Sequence, residues 1–272
     1  SFLNIIRQRL FWTTDYLKGS PIKKHYNNIK DIHENKANSK NNISNILNHA
    51  IISTPFYKKE VTANDSYNIT DFPVINKDMI RNNYDAFKSA NFLNKKNTTV
   101  STGGSTGTPF KFFHDKNKRH RHLADNIFYA EKGGYHLGDK LYLLRAWHKK
   151  SFVSTLVSKI KNMKLYGIVN YTNRDVEDLL NTMRTDSATK CIVCFASMCD
   201  VIVDYLDSNK NTSNKNLNIK SIITDGDALS KSTKDKMDAF FKTPTVARYG
   251  NMECGIMGQQ SYKGGYEYEL NW

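Results

Sequence analysis

No run of apolar residues in the 272-residue chain is long enough to cross a bilayer, which takes about 20 in succession. The first residues, SFLNIIRQRLFW, carry charge too early for a secretory leader and lack its small-residue cleavage site. Cysteine is scarce, with four in all: Cys191, Cys194, Cys199 and Cys254. Cys191-Ile-Val-Cys194 is a CxxC pair, but no second pair follows at zinc spacing, and it lies in an apolar run that reads as a buried strand. The expectation is a cytoplasmic protein with free structural thiols, rather than a disulfide framework or a metal ribbon. Internal repeats are also missing, which argues against a solenoid.

What is there supports a globular chain. Hydrophobic residues make up 39% and aromatic residues 12%, enough for a sizeable core. Lysine and arginine number 40 against 26 acidic residues, a formal net charge of +14. That balance fits nucleic acid, an anionic membrane surface, anionic small molecules or simply a solvated basic surface. The charge is spread along the chain, and its one dense cluster is Lys116, Lys118, Arg119, His120, Arg121 and His122. A nucleic-acid module concentrates its charge more than this.

Residues 1 to about 95 read as a helical leading segment. Ile43, Ile46, Leu47, Ala50 and Ile51 recur at helical spacing, and Pro55 ends that helix. From residue 96 to 272 the texture is α/β. Strands are expected at Thr98–Ser101, Phe110–Phe113, Leu141–Trp147, Cys191–Phe195, Ile219–Thr224 and Thr245–Arg248. Helices are expected between them. Asp115 caps one that runs to about Glu131 and stops at Gly133-Gly134. Val176, Leu179, Leu180 and Met183 form the face of another. Ser197 and Asp200 read as a capping box opening a third, and Ser232-x-x-Asp235 opens a fourth. Strands alternating with helices predict a mixed, largely parallel sheet flanked by helices.

Three segments carry chemistry. In Ser101-Thr102-Gly103-Gly104-Ser105-Thr106-Gly107-Thr108-Pro109, glycines free the backbone to approach an anion and hydroxyls add donors for phosphate oxygens. A strand follows it and Gly-Lys-Ser/Thr is missing, so it is neither a Walker A loop nor a dinucleotide fingerprint. Tyr249-Gly250-Asn251-Met252-Glu253 follows a strand, where open α/β sheets place their ligands. A carboxylate there suits Mg²⁺ and a tyrosine suits a flat base. Asp225-Gly226-Asp227 ends the preceding strand. Each segment read alone is also an ordinary turn. Trp147 and His148 end a further strand and are weaker candidates for a substrate pocket.

The order and spacing of these segments resemble the adenylate-forming superfamily of acyl-CoA synthetases, and within it the phenylacetate–CoA ligase-like proteins, including capsular polysaccharide biosynthesis proteins of the CapK type. Thr102 to Pro109 is similar to the family's Thr-Ser-Gly-Ser/Thr-Thr-Gly-x-Pro loop, which cradles ATP phosphates. Tyr249 to Glu253 is similar to its Tyr-Gly-x-Thr-Glu motif, and Gly226-Asp227 falls where the family lines the adenine. Pro55-Phe56-Tyr57 and Phe72-Pro73-Val74-Ile75-Asn76-Lys77 look like the subfamily's leading segment. Gly103 stands where the family usually has Ser, Phe110 where many members have Lys, and Met252 where they have Thr.

The resemblance implies the fold of that family's large N-terminal domain. It also implies ATP-dependent activation of a carboxylic acid, with the acyl group passed to a thiol such as coenzyme A or to an amine. Thr102, Gly103, Gly104, Ser105, Thr106, Gly107, Gly226, Asp227, Tyr249, Gly250, Asn251 and Met252 would bind the nucleotide, and Glu253 would hold Mg²⁺. The family's catalytic lysine is expected beyond residue 272. The alternatives are a catalytically incomplete nucleotide-binding protein and a basic nucleic-acid-binding protein.

Overall fold

The structure, a computed structural model, describes residues 2–34, 40–62, 64–102, 109–145, 155–167, 172–263 and 268–270. The chain forms two compact units. The larger joins residues 2–26 to residues 122–270, and the smaller is Asn27–Arg121.

Helix α1 (Phe2–Leu17) ends in a turn at Gly19 and Ser20, both at positive φ, and Pro21 opens α2 (Pro21–His33). Proline suits a first helical turn because its missing N–H has no partner there anyway. The buried Asp15 carboxylate accepts from Ile22 N at 3.1 Å and Lys23 N at 2.9 Å, so α1 supplies the N-terminal cap of α2.

In the smaller unit, α3 (Lys40–Ser53) stops before Pro55, which becomes the first residue of α4 (Pro55–Glu60). On the expected apolar face of α3, Leu47 is buried while Ile43 and Ile46 are exposed. Helix α5 (Lys77–Asn82) is capped by Asn76, whose Oδ1 accepts from Met79 N at 2.8 Å. Strands β1 (Thr98–Thr102) and β2 (Phe110–His114) form an antiparallel pair, with Thr102 opposite Phe110.

Helix α6 (Lys116–Lys132) is capped as expected: Lys118 N donates to Asp115 Oδ1 at 2.6 Å. That carboxylate opposes the basic residues that crowd the first turns, where the helix dipole disfavours cations. Five parallel strands follow: β3 (Lys140–Arg145), β4 (Met163–Gly167), β5 (Lys190–Phe195), β6 (Ile219–Asp225) and β7 (Thr245–Asn251). With the antiparallel β8 (Gly255–Gln260) and β9 (Tyr268–Leu270) they make a seven-stranded sheet, ordered β4-β3-β5-β6-β7-β8-β9. The mixed, largely parallel α/β architecture is therefore as the sequence predicts, with β4, β8 and β9 added.

Helices α8 (Asn173–Thr185), α9 (Ala196–Ser208) and α10 (Lys231–Phe241) connect the strands, as does the short α7 (Thr155–Ile160). The core forms between one sheet face and three of these helices. Tyr142, Leu144, Ile192, Cys194 and Ile222 meet Val176, Leu179, Leu180 and Met183 of α8, Met198 and Ile202 of α9, and Met237 of α10. Successive strand residues point to opposite faces. Ile223 accordingly meets Gly133 after α6, where an added Cβ would lie 2.9 Å from its side chain. Strands covered on both faces read as near-continuous apolar runs, as in Cys-Ile-Val-Cys and Ile-Ile.

Two helix starts differ from the sequence reading. Helix α9 begins at Ala196 directly after β5, so Ser197 lies inside its first turn and caps nothing; Asp200 accepts from the Thr233 hydroxyl at 2.5 Å. Helix α10 is capped by Ser230 rather than Ser232, with Thr233 N donating to Ser230 Oγ at 3.0 Å. In both cases Ser and Asp at capping spacing occur within the helix, where the backbone N–H groups they would cap are already engaged or turned elsewhere.

Candidate nucleotide site at the sheet edge

The carboxyl ends of β5, β6 and β7 lie side by side. Phe195 pairs with Asp225, and Thr224 with Ala247, along parallel ladders. Gly226 and Asp227 follow β6 at this edge, while Tyr249, Gly250 and Asn251 complete β7 and Met252 and Glu253 lie in the turn to β8. Strand parity and parallel pairing thus bring two of the three predicted segments to one edge of the sheet. Thr102 is the last residue of β1 in the smaller unit. Gly103, Gly104, Ser105, Thr106 and Gly107, and likewise Trp147 and His148, lie outside the described residues.

Local geometry explains the residue types at the edge. Gly226 sits at φ +86 with the Phe195 ring against it; a Cβ there would come within 2.6 Å of Phe195 Cδ1. Glycine alone meets both conditions without strain. The turn it permits directs Asp227 to Ser197, whose hydroxyl donates to Asp227 Oδ2 at 2.9 Å. Because α9 starts at the strand end and Phe195 provides no side-chain cap, that carboxylate lies by a helix N-terminus, which favours negative charge.

The β7–β8 turn is held by Asn251, whose Oδ1 accepts from Cys254 N at 2.6 Å. Gly250 packs on the backbone of Gly255, where a Cβ would meet the Gly255 carbonyl oxygen at 2.5 Å. Tyr249 is 61% exposed and Met252 49%. Both side chains are open to solvent, Tyr249 within β7 and Met252 in the turn that follows it. Behind them, Arg248 donates to Gln259 Oε1 at 3.0 Å and to Asn126 Oδ1 at 3.2 Å, and Gln260 Oε1 accepts from Ala247 N at 3.1 Å. The frame below the exposed residues is thereby fixed by hydrogen bonds.

The sequence alone did not disclose Ser197, Phe195 or the role of Asn251. Phe195 and Ser197 matter because no residue separates β5 from α9. The available signal was Gly226 after an apolar strand, which implies a close neighbour.

The donor set fits a magnesium nucleotide in kind. Mg²⁺ typically takes one or two protein carboxylates together with substrate phosphates, and Glu253 and Asp227 both belong to this edge. Among the described residues no group of three or more His, Cys, Asp or Glu side chains forms a metal cage. The Thr102 hydroxyl, in the smaller unit, is buried and has no hydrogen-bond partner among the described residues.

The fold has solved counterparts. An open conformation of 2-hydroxyisobutyryl-CoA ligase in complex with 2-HIB-AMP and CoA matches at 13% identity and TM-score 0.59, over 81% of this chain and 55% of that one. The same ligase in its thioesterification state matches at 14% identity and TM-score 0.59, over 83% and 51%. In the postadenylation state the figures are 12%, 0.58, 80% and 49%. The fold is that of the N-terminal domain of adenylate-forming enzymes. At such identities the likeness is one of fold, and this chain spans about half the length of the structures it matches. Neither a family model nor a curated protein matches the chain.

Proposed function

We propose that this chain is the nucleotide-binding part of an AMP-forming carboxylate ligase. The observation that carries the reading is the placement of Gly226-Asp227 and Tyr249 to Glu253 at the carboxyl edge of a sheet with this fold. The structures sharing that fold hold 2-HIB-AMP and CoA.

In this reading a carboxylate oxygen of the acid attacks the α-phosphorus of ATP. The bond to the bridging oxygen breaks, pyrophosphate leaves, and an acyl-adenylate forms. A thiol or amine then attacks the acyl carbon and AMP departs. The chain's contribution to the first step is positioning and charge neutralisation. Thr102 and the loop Gly103, Gly104, Ser105, Thr106 and Gly107 bind phosphate oxygens through N–H and O–H donors. Tyr249 and Met252 pack on the base, the backbone turn at Gly226 lies beside it, and Asp227 and Asn251 are held in place by the bonds described above. Mg²⁺ on Glu253 would offset phosphate charge. Trp147 and His148 are assigned to the acid pocket. The finer assignment follows the sequence resemblance: a cytoplasmic phenylacetate–CoA ligase-like protein of the CapK type, serving capsular polysaccharide biosynthesis, with coenzyme A as the thiol.

Calorimetric titration of ATP with Mg²⁺ tests this. The parent is expected to bind, and a Thr106→Ala, Glu253→Ala double variant that remains folded to bind about tenfold more weakly or worse, a loss of 1.4 kcal/mol or more. Equal affinity in parent and double variant would refute the assigned site.

A further inference from the structure

The smaller unit contains a second concavity that the nucleotide reading does not use. It is an open cavity of about 670 Å³, walled by Ile80, Tyr84, Phe87, Phe92, Leu93 and Phe113 together with other residues of the β1–β2 hairpin and the segment before it. That volume is within the usual range for small-molecule sites, roughly 300–1,000 Å³. Its charge is mainly positive: Lys88, Lys95, Lys111 and Lys118 line it with one carboxylate, Asp115, which caps α6, and Lys88 is ion-paired with Asp85 at 2.6 Å.

Two of the lysines are tied to the apolar wall. Lys95 Nζ lies 4.4 Å from the centre of the Phe92 ring, and Lys88 Nζ lies 4.8 Å from that of Tyr84 and 5.8 Å from that of Phe113. Cations resting on ring faces keep positive charge beside an apolar surface. Two of the uncharged polar residues in the wall are already engaged. Ser89 Oγ bonds His49 Nε2 at 3.1 Å, and the Asn97 amide donates to Phe92 O at 2.8 Å. A nucleobase edge needs donors and acceptors of that kind, whereas an alkyl or aryl body needs none.

The geometry points to a binding site for a small amphiphilic anion, an acyl or aryl body with a carboxylate or comparable head, held by the aromatic wall with its head at Lys95 and Lys111. The proposal stands apart from the nucleotide reading and is tested without ATP.

The probe is 8-anilino-1-naphthalenesulfonate, titrated by fluorescence into the full chain and then displaced with dodecanoate or with dodecanol. Lys95→Glu with Lys111→Glu is expected to weaken probe binding by about tenfold. Lys210→Glu with Lys263→Glu, an equal charge change on the larger unit, is expected to leave it within about twofold. Dodecanoate should displace the probe at concentrations about tenfold below those of dodecanol. If the first pair is misfolded by circular dichroism, Lys95→Gln with Lys111→Gln is substituted, and a smaller loss in the same direction is expected. Probe binding indifferent to these lysines, or displacement by the alcohol as readily as by the anion, would overturn the proposal and mark an apolar patch without head-group recognition.

Discussion

Lys190 shows how one residue can hold the end of a sheet. It is fully buried at the start of β5, and its ammonium donates to Asp186 O at 2.5 Å, Ala188 O at 2.8 Å and Leu217 O at 3.0 Å. Burial pulls its pKa down, with Lys140 adding to the effect and Asp186 opposing it. All three donors are used, so the buried charge is hydrogen-bonded in the way such a charge requires. Lys190→Met keeps the stem but strands three carbonyls. The expected loss of stability is about 3 kcal/mol by urea denaturation, at an unchanged m-value. Beside it, Asp186 accepts from Tyr142 Oη at 2.9 Å and Ala188 N at 3.1 Å and lies 3.5 Å from Lys140 Nζ. Burial alone would raise its pKa, but the Ala188 N–H, the Tyr142 hydroxyl and then the lysines outweigh it and hold the carboxyl below the usual range. A depressed folded pKa stabilises the protein fully above the unfolded value, near pH 4, and that stability is lost as pH falls through the folded value. Asp186→Asn should therefore be less stable than the parent at pH 7, with the gap closing on acidification below about pH 4. Thermal unfolding at several pH values reads this directly; a gap that stays constant with pH would exclude the titration of Asp186 as its source.

At the scale of elements, the junction of β5, α9 and the β6 turn sets the edge. Gly226→Ala places a methyl against Phe195 at a φ of +86, and the expected destabilisation is about 2 kcal/mol from left-handed strain and overpacking. Ser197→Ala, which removes an exposed hydrogen bond to Asp227, should cost under about 1 kcal/mol. Paired melts of the two variants check the order, and the reverse ranking would count against the packed-turn account. The same elements show what the sequence discloses. β5 and β6 are legible because strands covered on both faces must be apolar, and α8 because Val176, Leu179, Leu180 and Met183 repeat at helical spacing and are all buried. β8 is not legible: Gly-Ile-Met-Gly-Gln-Gln looks like a loop, yet Gln259 and Gln260 are buried because their amides serve backbone groups, Gln259 bonding Tyr129 O at 2.7 Å. β4 and β9 are short, five and three residues, too short for a strand period to stand out. The start of α9 was misplaced because Ser197 and Asp200 have the spacing of a cap, while each bonds a residue about 30 positions away, which spacing cannot reveal. Of the candidate site, the strand-end motifs were legible and their support was not.

Across the whole molecule, a net charge of +14 draws any polyanion, and the mode of binding separates the readings. No helix among the described residues is long and apolar enough to cross a membrane. Two of the basic side chains of α6 hydrogen-bond within the protein: Arg119 donates to Thr98 Oγ1 at 3.2 Å and Arg121 to Asn28 Oδ1 at 3.0 Å. A protein that grips duplex DNA through 6 to 10 phosphates loses about 10³ to 10⁵ in affinity between 50 and 200 mM salt, because each contact releases a counterion. A compact triphosphate held by oriented N–H and O–H groups at a few positions depends less on the ionic atmosphere. ATP affinity in the presence of Mg²⁺ is thus expected to fall by less than about tenfold over the same salt range. Retention of duplex DNA should be weak at 200 mM salt and insensitive to Thr106→Ala and Glu253→Ala. The comparison is decisive because net charge acts on both ligands, whereas under the proposed function the loop and the strand-end carboxylate act on ATP alone. Tight, salt-steep DNA binding with no measurable affinity for ATP would reverse the assignment and make the basic surface, rather than the sheet edge, the working part of the molecule.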